Sequence, residues 1–310
     1  MLKIAVQSGG GWFNEKDPEG SFRFIRECGF DAVDFNINGK LPSDKLKQGI
    51  LTDFFDQPIE AILEYYRPIK EAAEKNGVSF CQMHAPFPLW LADNDVVNDY
   101  TIMSVEKICA VCQFVGCPAL VVHPVTLYGS PKEKEIEVNM NMYRKMIPAG
   151  KKYGVKLCLE NLFVSYNGRM VEGSCSTATE ACFYIDALNA EAGADVFGFC
   201  FDVGHANLMG RNMRQYLNAL GDRLTVLHIH DNDGANDLHM MPYSYVRNYG
   251  KDIVCDWEGF INGLHDIGYT GAICFETFRV LGSYPKELHA DALRLISATG
   301  KYFANRVNPD

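Results

Sequence analysis

Residues 227–242, LHIHDNDGANDLHMMP, hold three of the chain's 8 histidines (His228, His230, His239) among Asp231, Asp233 and Asp237. Imidazole nitrogen and carboxylate oxygen together form the donor set that zinc, manganese or cobalt prefers. A polar loop whose histidines merely cap strands has the same composition, so this stretch alone decides nothing. Residues of the same types end other apolar runs: His84 in MHAPF, His123 in VVHP, Glu160 in LEN, Asp202 and His205 in DVGH, Glu276 in FET. A lone histidine there is more often a hydrogen-bonded core residue than a ligand. Carboxylates differ. Three of them, Glu160, Asp202 and Glu276, would each be disfavoured by desolvation and would repel one another. A divalent cation among them removes both problems. His228 and His230, two apart on a strand, share a face, so spacing does not choose between them. Asp231 and Asp233 are candidates to fix an imidazole tautomer from behind.

These residues need elements that bring them together. Eight apolar runs recur: 2–7, 30–37, 78–84, 119–124, 155–161, 197–204, 224–231 and 271–278. Near-continuous runs of this kind fit parallel strands buried on both faces. Helical periodicity fills the intervals, and the segments 59–77, 137–154 and 257–268 each end on glycine, as a helix C-terminus does. Strand and helix alternating eight times predict an α/β fold, a (β/α)8 TIM barrel, as a single domain over 1–310. A doubly wound sheet would carry a dinucleotide fingerprint after its first strand; Gly9, Gly10 and Gly11 lack that spacing. In a barrel the strand ends converge at one mouth, where the residues above would meet.

Composition narrows the function. Hydrophobic residues make up 47% and charged ones 22%, enough for a large core. The formal charge of -10 weighs against a protein held to nucleic acid by general electrostatics. No apolar run is long enough to span a bilayer. The first residues lack a signal-peptide pattern, so a cytoplasmic location is expected. The 11 cysteines, Cys158, Cys200 and Cys274 among them, lie in apolar runs and read as small buried hydrophobes. Cys109, Cys112 and Cys117 read as the core face of a helix.

In order and spacing, HAPF (84–87), HP (123–124), LEN (159–161), DVGH (202–205), HIHDND (228–233), DLH (237–239) and FET (275–277) resemble the xylose-isomerase-like superfamily of sugar isomerases, epimerases and endonuclease IV. The resemblance covers nearly the whole chain. It implies one divalent metal ion (manganese, zinc, cobalt or magnesium) held by Glu160, Asp202, His228 and Glu276, with Glu160 and Glu276 also the acid/base pair. His228 is preferred because the family pattern His-x-x-Asp is met by His228 and Asp231. His230 and Asp233 meet it too, so that assignment stays open. The nine zinc ligands of endonuclease IV also have counterparts, adding His84, His123, His205, Asp237 and His239 as substrate-binding residues or ligands of further metal, up to three zinc ions. Against the nuclease, LENLFVSYNGR lacks the Thr-Ala-Gly continuation and the loop before DLH is short and not basic. The Lys-Pro-x-Glu-Pro motif of xylose-type isomerases is absent, which favours proton transfer over hydride shift.

The expected function is therefore a metal-dependent isomerase or epimerase of a keto-sugar or its phosphate, with no membrane partner. One glutamate takes the proton α to the carbonyl, a cis-enediolate forms, and the other glutamate returns a proton on the opposite face. Arg279 is a candidate for a hydroxyl or phosphate contact. Phe87 and Trp90 of PFPLW would stack on a sugar ring or pack under a lid. The alternatives are a trinuclear zinc phosphodiesterase on abasic DNA, a metal-dependent lyase or dehydratase on a keto-sugar or inositol derivative, and a non-catalytic sugar-binding barrel. Tyr243, Tyr245 and Tyr249, in the insertion 242–257, are candidates for specificity or for a homo-oligomer contact.

Overall fold

The computed structural model describes residues 1–247 and 252–309. Tyr249 lies outside the described residues. In chain order the strands are β1 (Ile4–Gln7), β2 (Ala32–Asn36), β3 (Ser79–His84), β4 (Ala119–Val121), β5 (Lys156–Glu160), β6 (Phe163–Tyr166), β7 (Arg169–Glu172), β8 (Phe197–Asp202), β9 (Leu224–His228), β10 (Val246–Arg247), β11 (Asp252–Ile253) and β12 (Ile273–Phe275). The helices are α1 (Pro18–Glu27), α2 (Ser43–Lys47), α3 (Ile59–Lys75), α4 (Asp95–Val115), α5 (Lys132–Tyr153), α6 (Ala178–Ala192), α7 (Val203–Leu208), α8 (Met213–Leu220), α9 (Trp257–Asp266) and α10 (His289–Val307).

Eight parallel strands form one sheet in the order β12-β1-β2-β3-β4-β5-β8-β9. Just past β9, Ile229 closes it: its N–H donates to Cys274 O at 2.9 Å and its carbonyl accepts from Glu276 N–H at 3.0 Å. This is a TIM barrel, and each of the eight apolar runs contains one of its strands. Two pairs outside the barrel, β6–β7 and β10–β11, are antiparallel. The first was not expected. Its signal is Asn167-Gly168, both at positive φ, between β-forming residues, as a tight hairpin requires.

Alternation explains how strands dictate a site. Ala5, Ala32 and Cys274 pack together inside the barrel, as do Ala119, Val121, Cys158, Cys200 and Val226. Two residues beyond Ala5, Ala32, Cys158, Cys200, Val226 and Cys274 stand Gln7, Asp34, Glu160, Asp202, His228 and Glu276. Because side chains repeat every second residue, a plug of small apolar groups lies beneath a ring of polar ones. On β3 a register shift, in which Asp34 pairs with Gln82 rather than Cys81, restores the same face to Gln82 and His84. The cysteines of the plug are free thiols packed as hydrophobes. Cys109 and Cys112 are buried on α4 and Cys117 just beyond it, in the main core.

Candidate functional site

Glu160, Asp202, His228 and Glu276 each turn one ligand-type atom to a common centre, all four atoms within 4.8 Å of one another. His228 Nδ1 lies 2.9 Å from Glu160 Oε1, 3.7 Å from Glu276 Oε2 and 3.9 Å from Asp202 Oδ2. The two glutamates come from strands three places apart around the barrel. Each uses its second oxygen elsewhere. Glu160 Oε2 faces His123 Nε2 at 2.8 Å, and Glu276 Oε1 accepts from Gln7 Nε2 at 2.6 Å. Among the described residues Asp202 Oδ2 has no hydrogen-bond partner, and it is buried.

Asp202 ends β8 and also caps α7, its Oδ1 accepting from His205 N–H at 2.6 Å. Asn161, just past β5, clasps it: its side chain donates to Asp202 O and accepts from Asp202 N–H, both at 2.8 Å. Asn161 O also meets His205 Nδ1 at 2.8 Å. The motif DVGH thus sends one carboxylate and one imidazole into the mouth from a tight strand-to-helix turn. Its glycine is forced, because a Cβ at Gly204 would stand 1.9 Å from His230 Cε1.

His205, His230, Asp237 and His239 form a second convergence, again with one ligand-type atom each within 4.8 Å. Asp237 Oδ2 is 2.9 Å from His239 Nε2; its Oδ1 is 3.8 Å from His230 Nε2 and 3.9 Å from His205 Nε2. The two groups touch through Asp202 Oδ1, 3.1 Å from His230 Nε2. The histidines of β9 and its extension therefore part company: His228 goes to the carboxylate group, His230 to the imidazole-rich one. His84 lies between Glu276 and Asp34, its Nε2 3.6 Å from Glu276 Oε1 and its Nδ1 3.0 Å from Asp34 Oδ1.

The charges hold one another. Burial opposes ionisation of Asp34, yet the neighbouring His84 and His228 hold its carboxyl at about 2. Burial likewise opposes ionisation of Glu160, Asp202 and Asp237, and in each the adjacent imidazoles win and lower it. The reciprocal holds for His84, His205 and His230: burial disfavours their protonation, but the facing carboxylates raise them. His228 is raised against burial by Cys200 together with Glu276, Glu160 and Asp34.

A cavity of about 650 Å³ opens over this floor, lined by His84, His123, Glu160, His205, Asp237, His239 and Glu276. Phe87, Phe163 and Phe278 stand around it, each ring against a histidine: Phe87 on His123 at 5.1 Å, Phe163 on His205 at 5.0 Å, Phe278 on His239 at 4.1 Å. A second hollow of about 610 Å³, lined by Tyr128, Lys132 and Glu180, contains none of the converging ligands and belongs to the outer rim.

Three expectations are corrected. Trp90 lies in a hollow between α4 and α5 with Asn98 and Met142 and does not line the cavity. Arg279 is exposed, its guanidinium 5.9 Å from the Phe278 ring, and does not line the cavity. Asp231 and Asp233 do not back an imidazole. Asp231 has the opposite parity to His228 and His230, and its side chain accepts N–H groups of Asn232, Ser244 and Tyr245; burial raises its carboxyl to about 6. Asp233 caps its own turn at Ala235 and Asn236. The carboxylate behind His228 is Asp34, which the sequence reading passed over, as it did Gln7, Asn161 and Phe163.

The sequence profile described as Xylose isomerase-like TIM barrel matches residues 22–299. The chain belongs to this family. Within the xylose isomerase-like TIM barrels, it is 31% identical to the uncharacterized protein y4fM of Sinorhizobium fredii, over 92% of this chain and 90% of that one. Among solved structures it is similar to the 3-keto-D-glucoside 4-epimerase YcjR of E. coli (18% identity, TM-score 0.68, 96% of this chain and 100% of that one). It is also similar to D-psicose 3-epimerase of Clostridium cellulolyticum (14%, TM-score 0.70, 97% and 99%). A third is the IolI protein solved with a bound zinc atom (17%, TM-score 0.64, 99% and 98%). At these identities the structures share the barrel. Among the described helices none is long and apolar enough to cross a membrane.

Proposed function

We propose that this chain is a metal-dependent epimerase or isomerase of a keto-sugar. One observation carries the reading: three buried carboxylates and one imidazole from four strands turn single atoms to a common centre. Buried acids with an unpartnered oxygen, as on Asp202, are the donor set a divalent cation fits. Glu160, Asp202, His228 and Glu276 would hold it, and when bound it would supply Lewis-acid polarisation of the substrate carbonyl.

The chain's own residues do the rest. Glu160 and Glu276 reach the same space from different walls, so a sugar carbon between them presents one face to each. One carboxylate accepts the proton α to the carbonyl and the other delivers a proton to the opposite face of the cis-enediolate. His123 and Gln7 orient the two carboxylates, and the apolar rings of Phe87, Phe163 and Phe278 exclude water from above. The epimerase structures sharing the barrel support a sugar substrate for this arrangement.

A second reading has its own observation. The group of His205, His230, Asp237 and His239 could hold a further cation beside the first, which is the arrangement a multinuclear phosphodiesterase needs. Counting bound ions by elemental analysis, then assaying free ketohexoses, keto-glycosides and an abasic duplex, separates the two. Epimerisation that chelation abolishes and Glu276→Gln abolishes is the expected result. Three ions with cleavage of the duplex and no epimerisation would replace it.

A further inference from the structure

We propose that Gln7 is the positioning residue for Glu276: its uncharged amide pins one carboxylate oxygen so that the other stays on the common centre. This rests on the reading of Glu276 as one of the two proton-transferring carboxylates.

Gln7 ends β1, the strand that pairs with β12. The register Val6↔Phe275 makes Gln7 and Glu276 lateral neighbours at the next step, both facing the mouth although 269 residues apart. A carboxylate only accepts, so the amide nitrogen must be the atom that faces it. Gln7 Nε2 donates to Glu276 Oε1 at 2.6 Å, and Gln7 is 3% exposed. That bond leaves Oε2 as the oxygen turned to His228 Nδ1 at 3.7 Å and His239 Nδ1 at 3.6 Å.

The turn after β1 is built around this amide. A Cβ at Gly9 would stand 2.7 Å from Gln7 Oε1. At Gly10, whose φ is +79, it would stand 2.5 Å from the carbonyl oxygen of Phe278, two residues past Glu276. Trp12 Nε1 donates to Gln7 O at 2.7 Å and fixes the backbone of the same residue. Gly9 and Gly10, in a run that fits no dinucleotide fingerprint, are thus packed closely against Gln7 and Phe278.

The contrast with Glu160 gives this contact its meaning. The outer oxygen of Glu160 faces an imidazole, His123; that of Glu276 accepts from an amide, whose nitrogen can only donate. The two carboxylates are thus held by chemically different partners.

The test compares Gln7→Met, which keeps the length and removes the donor, with Gly9→Ala, whose methyl displaces the amide. Both are loaded with cobalt(II) alongside the natural protein and Glu276→Gln. Expected for both variants are a shifted cobalt d–d absorption, a Kd for cobalt weakened about tenfold, and a kcat lower by about ten- to a hundredfold with KM changed less than about threefold. Unchanged cobalt spectra and unchanged kcat in Gln7→Met would overturn the proposal. So would a fall in melting temperature with raised KM and unaltered kcat, the mark of a merely structural residue. Should the natural protein bind cobalt through Glu276 yet turn over no ketose, the keto-sugar reading fails and the spectral comparison alone decides the role of Gln7. A Glu276→Gln spectrum identical to that of the natural protein removes Glu276 from the centre and the proposal with it.

Discussion

Asp34 Oδ2 lies 3.4 Å from His228 Nε2, on the far side of the imidazole from Glu160. With Nδ1 on a cation, a carboxylate beside Nε2 favours the tautomer that carries its proton there. Asp34→Asn should keep the fold and weaken affinity for a divalent cation about 10- to 100-fold. Competition against a chromophoric chelator measures this; an unchanged Kd would remove Asp34 from the site.

The same residue gives a stability test in the metal-free protein. Its carboxyl sits at about 2 when folded, below the ordinary 3.8, so as pH falls the unfolded chain takes up this proton first. The stabilisation is whole above pH about 4 and is lost as pH falls through about 2, with a size of about 2 kcal/mol. Urea unfolding of the natural protein and Asp34→Asn should show a stability difference that shrinks across this window. A difference independent of pH would contradict it.

Gly204→Ala places a methyl 1.9 Å from His230 Cε1. Overpacking of this kind costs about 1–3 kcal/mol, and the ring that must move carries the link between the two ligand groups. Thermal melts should show a lower transition, and ion counting should show loss of any second cation before loss of the first. A natural melting curve would mean that the ring has room to turn.

The hairpin β6–β7 sets Phe163 over His205. Phe163→Ala should raise KM for a turned-over sugar about three- to tenfold, the worth of one aromatic contact, with kcat near the natural value. Steady-state kinetics separate the two; a fall in kcat alone would place Phe163 in the chemistry instead of over it.

Much of the barrel was legible because its signals are local. Each strand is a short apolar run closed by a loop, and the polar residues that end β3, β5, β8 and β12 are visible as interruptions of those runs. The hairpin was legible too, in Asn167-Gly168, but was not read. Other residues carried no such mark. Asp34 sits inside FDAVDFNI like any strand residue, and Gln7 looks like the last residue before a glycine turn. PFPLW left Trp90 open between stacking on a sugar and packing, and only the packing of α4 against α5 shows where it goes. Asp231 was misassigned although strand parity, applied one residue further than His230, turns it away from the imidazoles.

The chain's own pattern determined which residues stand at strand ends and which share a face, because strand length and two-residue alternation are properties of consecutive residues. Only the closed barrel decided which of them meet. His228 and His230 are equivalent by alternation, yet the first joins Glu160, Asp202 and Glu276 while the second joins His205, Asp237 and His239. That division follows from the closure of β9 on β12 at Ile229 and from the packing of Gly204 against the His230 ring, contacts between segments that no local pattern relates.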